Sequence, residues 1–227
     1  MNIAIIPARG GSKRIPRKNI KEFHGKPMIA YSIEAALESN CFDKVIVSTD
    51  DSEIAEIAIK YGAEVPFIRP DNIADDYATT LDVIKHAIEF TEQQGWGVKN
   101  VCCIYATAPF LTPEFIKKGL QELTKSTIDY AFSATSFPFP IQRAIRLNAQ
   151  ERVEMLQPEH LNTRSQDLEE AYHDAGQFYW GTATAFLNGK PFFSPQSKAI
   201  LLPRKRVQDI DTPEDWELAE ALYKALQ

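Results

Sequence analysis

An α/β fold, with a mainly parallel sheet covered by helices on both faces, is the class this sequence predicts. Two observations lead there. Short apolar, β-branched runs alternate along the chain with longer segments of helical period, which is the rhythm of βαβ units. The 227 residues, 44% hydrophobic and 25% charged, match an ordinary globular enzyme with enough chain for one sizeable core. The expectation is a single domain over residues 1–227, its rhythm interrupted once by an arm at about 137–172.

The elements follow in order. Residues 3–6 (IAII) form the first strand, and a helix is expected from about 27 to 37. The next strand, 45–48, leads into a helix opened by Asp51 and closed near Gly62, with Ile54, Ala55, Ala58 and Ile59 as its inner stripe. A third strand is read over 65–68, and a polar loop over 69–76 precedes a helix near 80–93. Residues 101–105 supply a further buried strand, and Pro113 suits a first helical turn. After the strand at 130–135, Phe137, Pro138, Phe139 and Pro140 break the pattern, and the arm begins. Strands are expected again at 176–180 and 199–202, and a helix at about 213–226 closes the chain.

Composition removes several classes of function. Lys and Arg total 25 against 31 Asp and Glu, so a broad basic surface for nucleic acid or membrane is not expected and anionic ligands must be met locally. The cysteines are Cys41, Cys102 and Cys103, and the adjacent pair should point to opposite faces of a strand, which suits neither a disulfide framework nor zinc. The opening apolar run is too short for a signal peptide, and no stretch approaches a membrane span, so a cytoplasmic location is expected.

Two segments carry the chemistry. In IIPARGGSKRIPRKN a buried strand runs into Arg9, Lys13, Arg14, Arg17 and Lys18, interleaved with Gly10, Gly11 and Ser12. Glycines let backbone N–H groups turn toward an anion, the serine adds a donor, and the cations neutralise phosphate oxygens, so the loop suits a triphosphate. Its spacing is neither a Walker A loop nor GxGxxG. The bland alternative is a solvated basic turn; its place after the first strand, where ligands of such sheets collect, argues against that.

The second segment is RVQDIDTPEDW, where Asp209 and Asp211, two apart on an extended stretch, project from one face with Ile210 pointing away. Such a pair suits Mg²⁺, which takes one or two carboxylates plus substrate phosphates. Helix capping by Thr212, Pro213, Glu214 and Asp215 is the competing account, and it leaves Asp209 unexplained.

The IPARGGSKRIPRKN opening, VIVSTDD, the Arg69-Pro70 dipeptide with its DD-containing loop, and DIDTPEDW together resemble the acylneuraminate cytidylyltransferase family over essentially the whole chain. That resemblance implies a Rossmann-like nucleotidyltransferase fold with an inserted dimerisation arm, a homodimer, CTP as donor and Mg²⁺ as cofactor. It implies attack of a sugar acid's anomeric hydroxyl on the α-phosphate. By position, Ala8, Arg9, Gly10, Gly11, Ser12, Lys13, Lys18 and Asn19 would hold the triphosphate and cytidine, with Arg69, Asp76, Thr79 and Thr80 near the base and ribose. Arg9, Lys18, Asp209 and Asp211 would be the catalytic set, the two aspartates holding the metal.

Two departures point to the sugar. Where sialic acid synthetases read QPTSP, this chain has Tyr105, Ala106, Thr107, Ala108 and Pro109, and where they read RPNGAIY it has HDAGQFY from His173 to Tyr179. ATAPF, FPFPIQRA and HDAGQFYWG instead resemble the pseudaminic acid branch, which implies a nonulosonic acid partner and a part in flagellin glycosylation. Tyr105, Thr107, His173, Gln177 and Tyr179 are then the expected sugar contacts, with Arg143 and Arg164 in the arm either facing the other subunit's sugar or only solvated. Phe178 and Trp180 are expected to pack. Relatives acting on neuraminic, legionaminic or 3-deoxy-octulosonic acid, a glycosyltransferase and a non-catalytic nucleotide-binding module are the rival readings.

Overall fold

The computed structural model describes residues 1–74, 77–125 and 127–227. The first strand, β1 (Asn2–Pro7), sends Ala4 and Ile6 to one face and Ile3 and Ile5 to the other, all buried. A small hairpin of β2 (Glu22–Phe23) and β3 (Lys26–Pro27) follows, then α1 (Met28–Ser39), β4 (Lys44–Ser48) and α2 (Ser52–Lys60). Next come α3 (Thr80–Gln93), β5 (Asn100–Ile104), α4 (Pro113–Lys125) and β6 (Tyr130–Ser136). The arm holds β7 (Ile145–Leu147) and β8 (Val153–Met155), after which β9 (Tyr172–Thr182), α5 (Ala183–Leu187), β10 (Ser197–Leu201) and α6 (Pro213–Ala225) complete the chain.

Among the described residues the central sheet has six strands in the order β10-β6-β9-β5-β1-β4. β1 pairs in parallel with β4 and β5, and β10 in parallel with β6, whereas β9 runs antiparallel between β5 and β6. The helices cover both faces. Ile29 and Ile33 of α1, Ile54 and Ala58 of α2, and Ile116 and Leu123 of α4 pack on one side, and Ile84, Ala87 and Ile88 of α3 with Phe186 of α5 on the other. Cys102 and Cys103 face opposite layers, as alternation requires, and burial pushes both thiols up. Trp216 and Ala219 of α6 join Ile15, Phe23, Phe110 and Ile210 in a third cluster, which ties the chain's end to the loop after β1.

Three expectations change. The segment 65–68 is not a strand: Glu64 alone makes a parallel bridge, to Ile46, because Pro66 has no N–H to continue a ladder. Ile59 is 58% exposed, the inner face of α2 being Ile54, Ala55 and Ala58 with Ile57 beside them. β9 begins at Tyr172, ahead of Gly176, which lies within the strand at φ +61° where the register to β6 shifts between Phe132 and Ala134. The bulge strips two donors from the ladder; Ser133 Oγ accepts both, Gln177 N–H at 3.2 Å and Phe178 N–H at 3.1 Å.

The arm's strands form an antiparallel hairpin separate from the main sheet. Phe139, Leu147, Val153 and Leu161 on it are exposed. Among the described residues no helix is long and apolar enough to cross a membrane.

Candidate active site

In an open α/β sheet the crevice forms where chain connections diverge to the two sides of a strand. Here that point is β1. The chain passes from β1 to β4 on one side and later enters β5 on the other, so the loops after β1 and β5 part above the sheet. A cleft of about 510 Å³ opens there, lined by Arg9, Ser12, Lys13, Arg14, Lys18 and Asn19 after β1 and by Tyr105, Ala106 and Thr107 after β5. Arg69, Thr80 and Asp211 close its other walls.

The basic loop is braced internally and from the next strand end. Asn19, 9% exposed, donates through Nδ2 to the Arg9 carbonyl at 2.9 Å. Gly10 N–H donates to Asp50 Oδ1 at 3.0 Å, and a Cβ on Gly10 would stand 2.6 Å from Asp51 Oδ2, so only glycine allows this approach. Arg17 pairs with Asp51 and Glu53 instead of facing the cleft. Asp51 also caps α2 by accepting from Ile54 N–H at 3.0 Å, and the Arg17 guanidinium holds its carboxyl down at about 2. Ala8 belongs to the core, its N–H donated to the Ser48 carbonyl at 2.9 Å. Of the backbone donors expected for phosphate, the Gly10 N–H is therefore already engaged by a carboxylate.

Opposite the loop lies the acid segment. Asp211 pairs with Arg14 at 3.0 Å and with Lys18 at 3.2 Å, and Lys18 Nζ also donates to the Ile210 carbonyl at 2.5 Å. Surrounding protein, then the Asp211 carboxylate, pushes Asp209 above the usual carboxylate range, which places two anionic groups in mutual repulsion. Among the described residues no cluster of three or more His, Cys, Asp or Glu side chains forms. Two carboxylates are nonetheless the donor set that suits a magnesium ion completed by water and phosphate oxygens. Asp215 is committed elsewhere: it forms a capping box with Thr212 at the start of α6, so capping and the acid pair are separate devices.

The remaining expected residues divide. Arg69, 5% exposed, lines the cleft and donates to the Ser48 carbonyl and hydroxyl, its burial pulling its pKa down. Thr79 is the N-cap of α3 in a capping box with Asp82, while Thr80 lines the cleft. Asp76 lies outside the described residues. Gln177 is buried and donates to the Arg206 carbonyl at 2.5 Å, bracing the segment that leads to Asp209. His173 packs on Phe137 at 4.7 Å between ring centres and donates to the Asp174 carbonyl at 2.8 Å. Arg143 donates to the Thr163 carbonyl and Arg164 to Asp167, both within the arm and neither lining the cleft.

Tyr179 is 5% exposed in the core, with its hydroxyl donating to Asp174 at 2.5 Å, whereas Phe178 and Trp180 are packing residues. Ala108 and Phe110 are core as well, and Phe110 faces a separate cavity of about 320 Å³ beside Tyr223. Sequence reasoning passed over Arg14 as a partner of Asp211, and over Asp50 and Asp51 as braces of the loop. The signal was available in VIVSTDD, since a strand parallel to β1 delivers its own end beside the loop.

Known proteins resemble this chain in sequence and in fold. A profile of the family described as Cytidylyltransferase matches residues 3–224. The chain is 51% identical to the pseudaminic acid cytidylyltransferase of Campylobacter jejuni, over 98% of this chain and 96% of that protein. It is 36% identical to the CMP-N,N'-diacetyllegionaminic acid synthase of Legionella pneumophila, over 99% and 97%. A solved CMP:2-keto-3-deoxy-manno-octonic acid synthetase complexed with CTP superposes with a TM-score of 0.71 at 17% identity, covering 100% of this chain and 99% of that one, which is a likeness of fold.

Proposed function

The chain belongs to the cytidylyltransferase family, and from that premise we propose that it transfers CMP from CTP to the anomeric hydroxyl of pseudaminic acid, releasing pyrophosphate. The observation that carries the chemistry is the single cleft in which a basic loop after β1 faces the acid segment before α6. The sugar rests on the 51% identity to a pseudaminic acid enzyme and on Tyr105 at the cleft wall.

In the reaction the hydroxyl oxygen bonds to the α-phosphorus as the bond to the bridging oxygen of pyrophosphate breaks, in line. Charge grows on the departing group, so positioned cations lower the barrier more than a covalent nucleophile would. Arg9 and Lys13 line the cleft and would meet that charge, Arg69 and Thr80 would border the nucleoside end, and Lys18 holds the acid segment against the loop. Asp209 and Asp211 would hold Mg²⁺, which when bound supplies Lewis-acid stabilisation to the phosphates and acidifies an adjacent hydroxyl. The arm, with Arg143 and Arg164, joins a second copy in a homodimer, supported by its exposed apolar side chains. A cytoplasmic location and use of the product in flagellin glycosylation complete the reading.

Pyrophosphate release with CTP and a panel of nonulosonic acids tests it. Pseudaminic acid differs from neuraminic acid in ring stereochemistry, a methyl end and a second acylamino group, and a wall rebuilt for it leaves the wrong sugar's hydroxyls unpaired. A preference of at least about a hundredfold in kcat/KM, about 2.7 kcal/mol, is expected. Equal efficiency, or preference for neuraminic acid, refutes the sugar and leaves CTP chemistry standing.

A further inference from the structure

After β10 the chain crosses from the sheet to the cleft, and a few hydrogen bonds set its course. Leu202 is held at the end of β6: its N–H donates to the Ala134 carbonyl and its carbonyl accepts from Thr135 Oγ1, each at 2.8 Å. A tight turn over Arg204–Arg206 follows. There the Arg206 carbonyl accepts from Gln177 Nε2 at 2.5 Å. Further on, Ile210 is buried beside Ile15 and Trp216, and its carbonyl accepts from Lys18. Asp209 lies between these two anchors.

Gln177, 2% exposed, sits on β9 between β5 and β6, and its main chain is committed too: its carbonyl accepts from Tyr105 N–H at 2.9 Å, and its N–H donates to Ser133 Oγ. One residue therefore bonds the cleft wall through its backbone and the approach to the acid segment through its side chain. Facing a carbonyl, the amide must present its NH₂, which leaves Oε1 buried with no partner among the described residues. An orphaned acceptor costs stability, so an apolar side chain of equal length would serve the fold as well. What that side chain would lack is the bond to Arg206.

We propose that Gln177 is a positioning residue, whose bond to the Arg206 carbonyl fixes where Asp209 stands relative to Asp211. The proposal rests on the reading of these two aspartates as magnesium ligands, and it moves Gln177 from the sugar to the metal side of the site. Mg²⁺ asks for short bonds in near-octahedral geometry, so slack in the chain that carries one carboxylate weakens the site even though both carboxylates remain.

Gln177→Met tests this by calorimetric titration of CTP, without sugar acid, in EDTA and in Mg²⁺. Methionine keeps the length and removes both the donor and the orphaned acceptor. CTP affinity in EDTA should stay within about twofold of wild type, whereas the gain in affinity on adding Mg²⁺ should shrink on the order of tenfold, the scale of losing a group that orients a metal ligand. The Tm should stay within about 3 °C, because the lost bond and the lost orphan offset each other. KM for the sugar acid at saturating Mg²⁺ should stay within about twofold.

Asp209→Asn is the control for the metal reading. If it keeps the full gain from Mg²⁺, Asp209 is not a ligand, and the proposal falls with that reading. If Asp209→Asn loses the gain while Gln177→Met keeps it, the metal reading stands and the role of Gln177 is overturned. A selective rise in sugar KM with the gain intact would make Gln177 a sugar contact instead. A lower Tm, with CTP binding weakened equally in EDTA and in Mg²⁺, would make it a structural residue only; either result overturns the proposal.

Discussion

Cations that look alike in the sequence do different work in the cleft. Lys18 bridges the basic loop to the acid segment through the Ile210 carbonyl and Asp211, and Arg17 is turned away onto Asp51. Arg9→Ala should cut turnover about a hundredfold, the scale of losing a preorganised charge-stabilising group, with an unchanged CD spectrum. Near-normal turnover in that variant would reduce the loop to a solvated turn. For Asp211→Asn the expectation is loss of magnesium-dependent activity with little change in Tm, since Thr212 and Asp215 carry the helix cap without it. Retained activity would assign Asp211 to ion pairing with Arg14 and Lys18 alone. Residue type and a strand end were enough to place Arg9, Ser12, Lys13, Lys18 and Asp211 in one cleft. They were not enough for Tyr179 or Gln177, because where a side chain points depends on what packs around it.

At the scale of elements, the turn between β4 and α2 governs the loop after β1. Asp51 caps the helix, takes Arg17 and crowds Gly10, so one carboxylate links two strand ends. Its pKa is depressed on folding, from 3.8 to about 2, so the stability it adds is fully present above its unfolded value and fades as pH falls from about 4 toward 2. Asp51→Asn keeps a good cap and loses the ion pair. The variant should be less stable by about 1 kcal/mol at pH 7, a modest figure because Arg17 is partly solvated, and the gap should close as the pH is lowered. Urea titrations at pH 7 and pH 3 measure it, and a gap that does not narrow rules the ion pair out. The regular elements were readable because burial on both sheet faces writes long apolar runs into the sequence. The segment 65–68 misled because its composition is strand-like while Pro66 denies it a ladder, and β9 was shortened because Gly176 resembles a start when it is a bulge.

For the whole molecule, the arm exposes Phe139, Leu147, Val153 and Leu161, apolar side chains that a second copy would cover. Light scattering at micromolar concentration should give twice the chain mass, and Leu147→Asp with Val153→Asp should shift the protein toward one chain mass. A strict monomer with full activity removes the arm from the mechanism. The order β10-β6-β9-β5-β1-β4 also bears on how the chain is made. Among the described residues β9 joins β5 to β6, and β10 follows it in the chain, so until Thr182 has left the ribosome a nascent chain has the β4-β1-β5 sheet with an open edge and β6 without a partner strand. Synthesis stalled before Tyr172 should yield a sticky, protease-sensitive intermediate, and release beyond Thr182 should abruptly protect it. In a finished enzyme, the β9 amides facing β5 should exchange with solvent only when the entire chain unfolds.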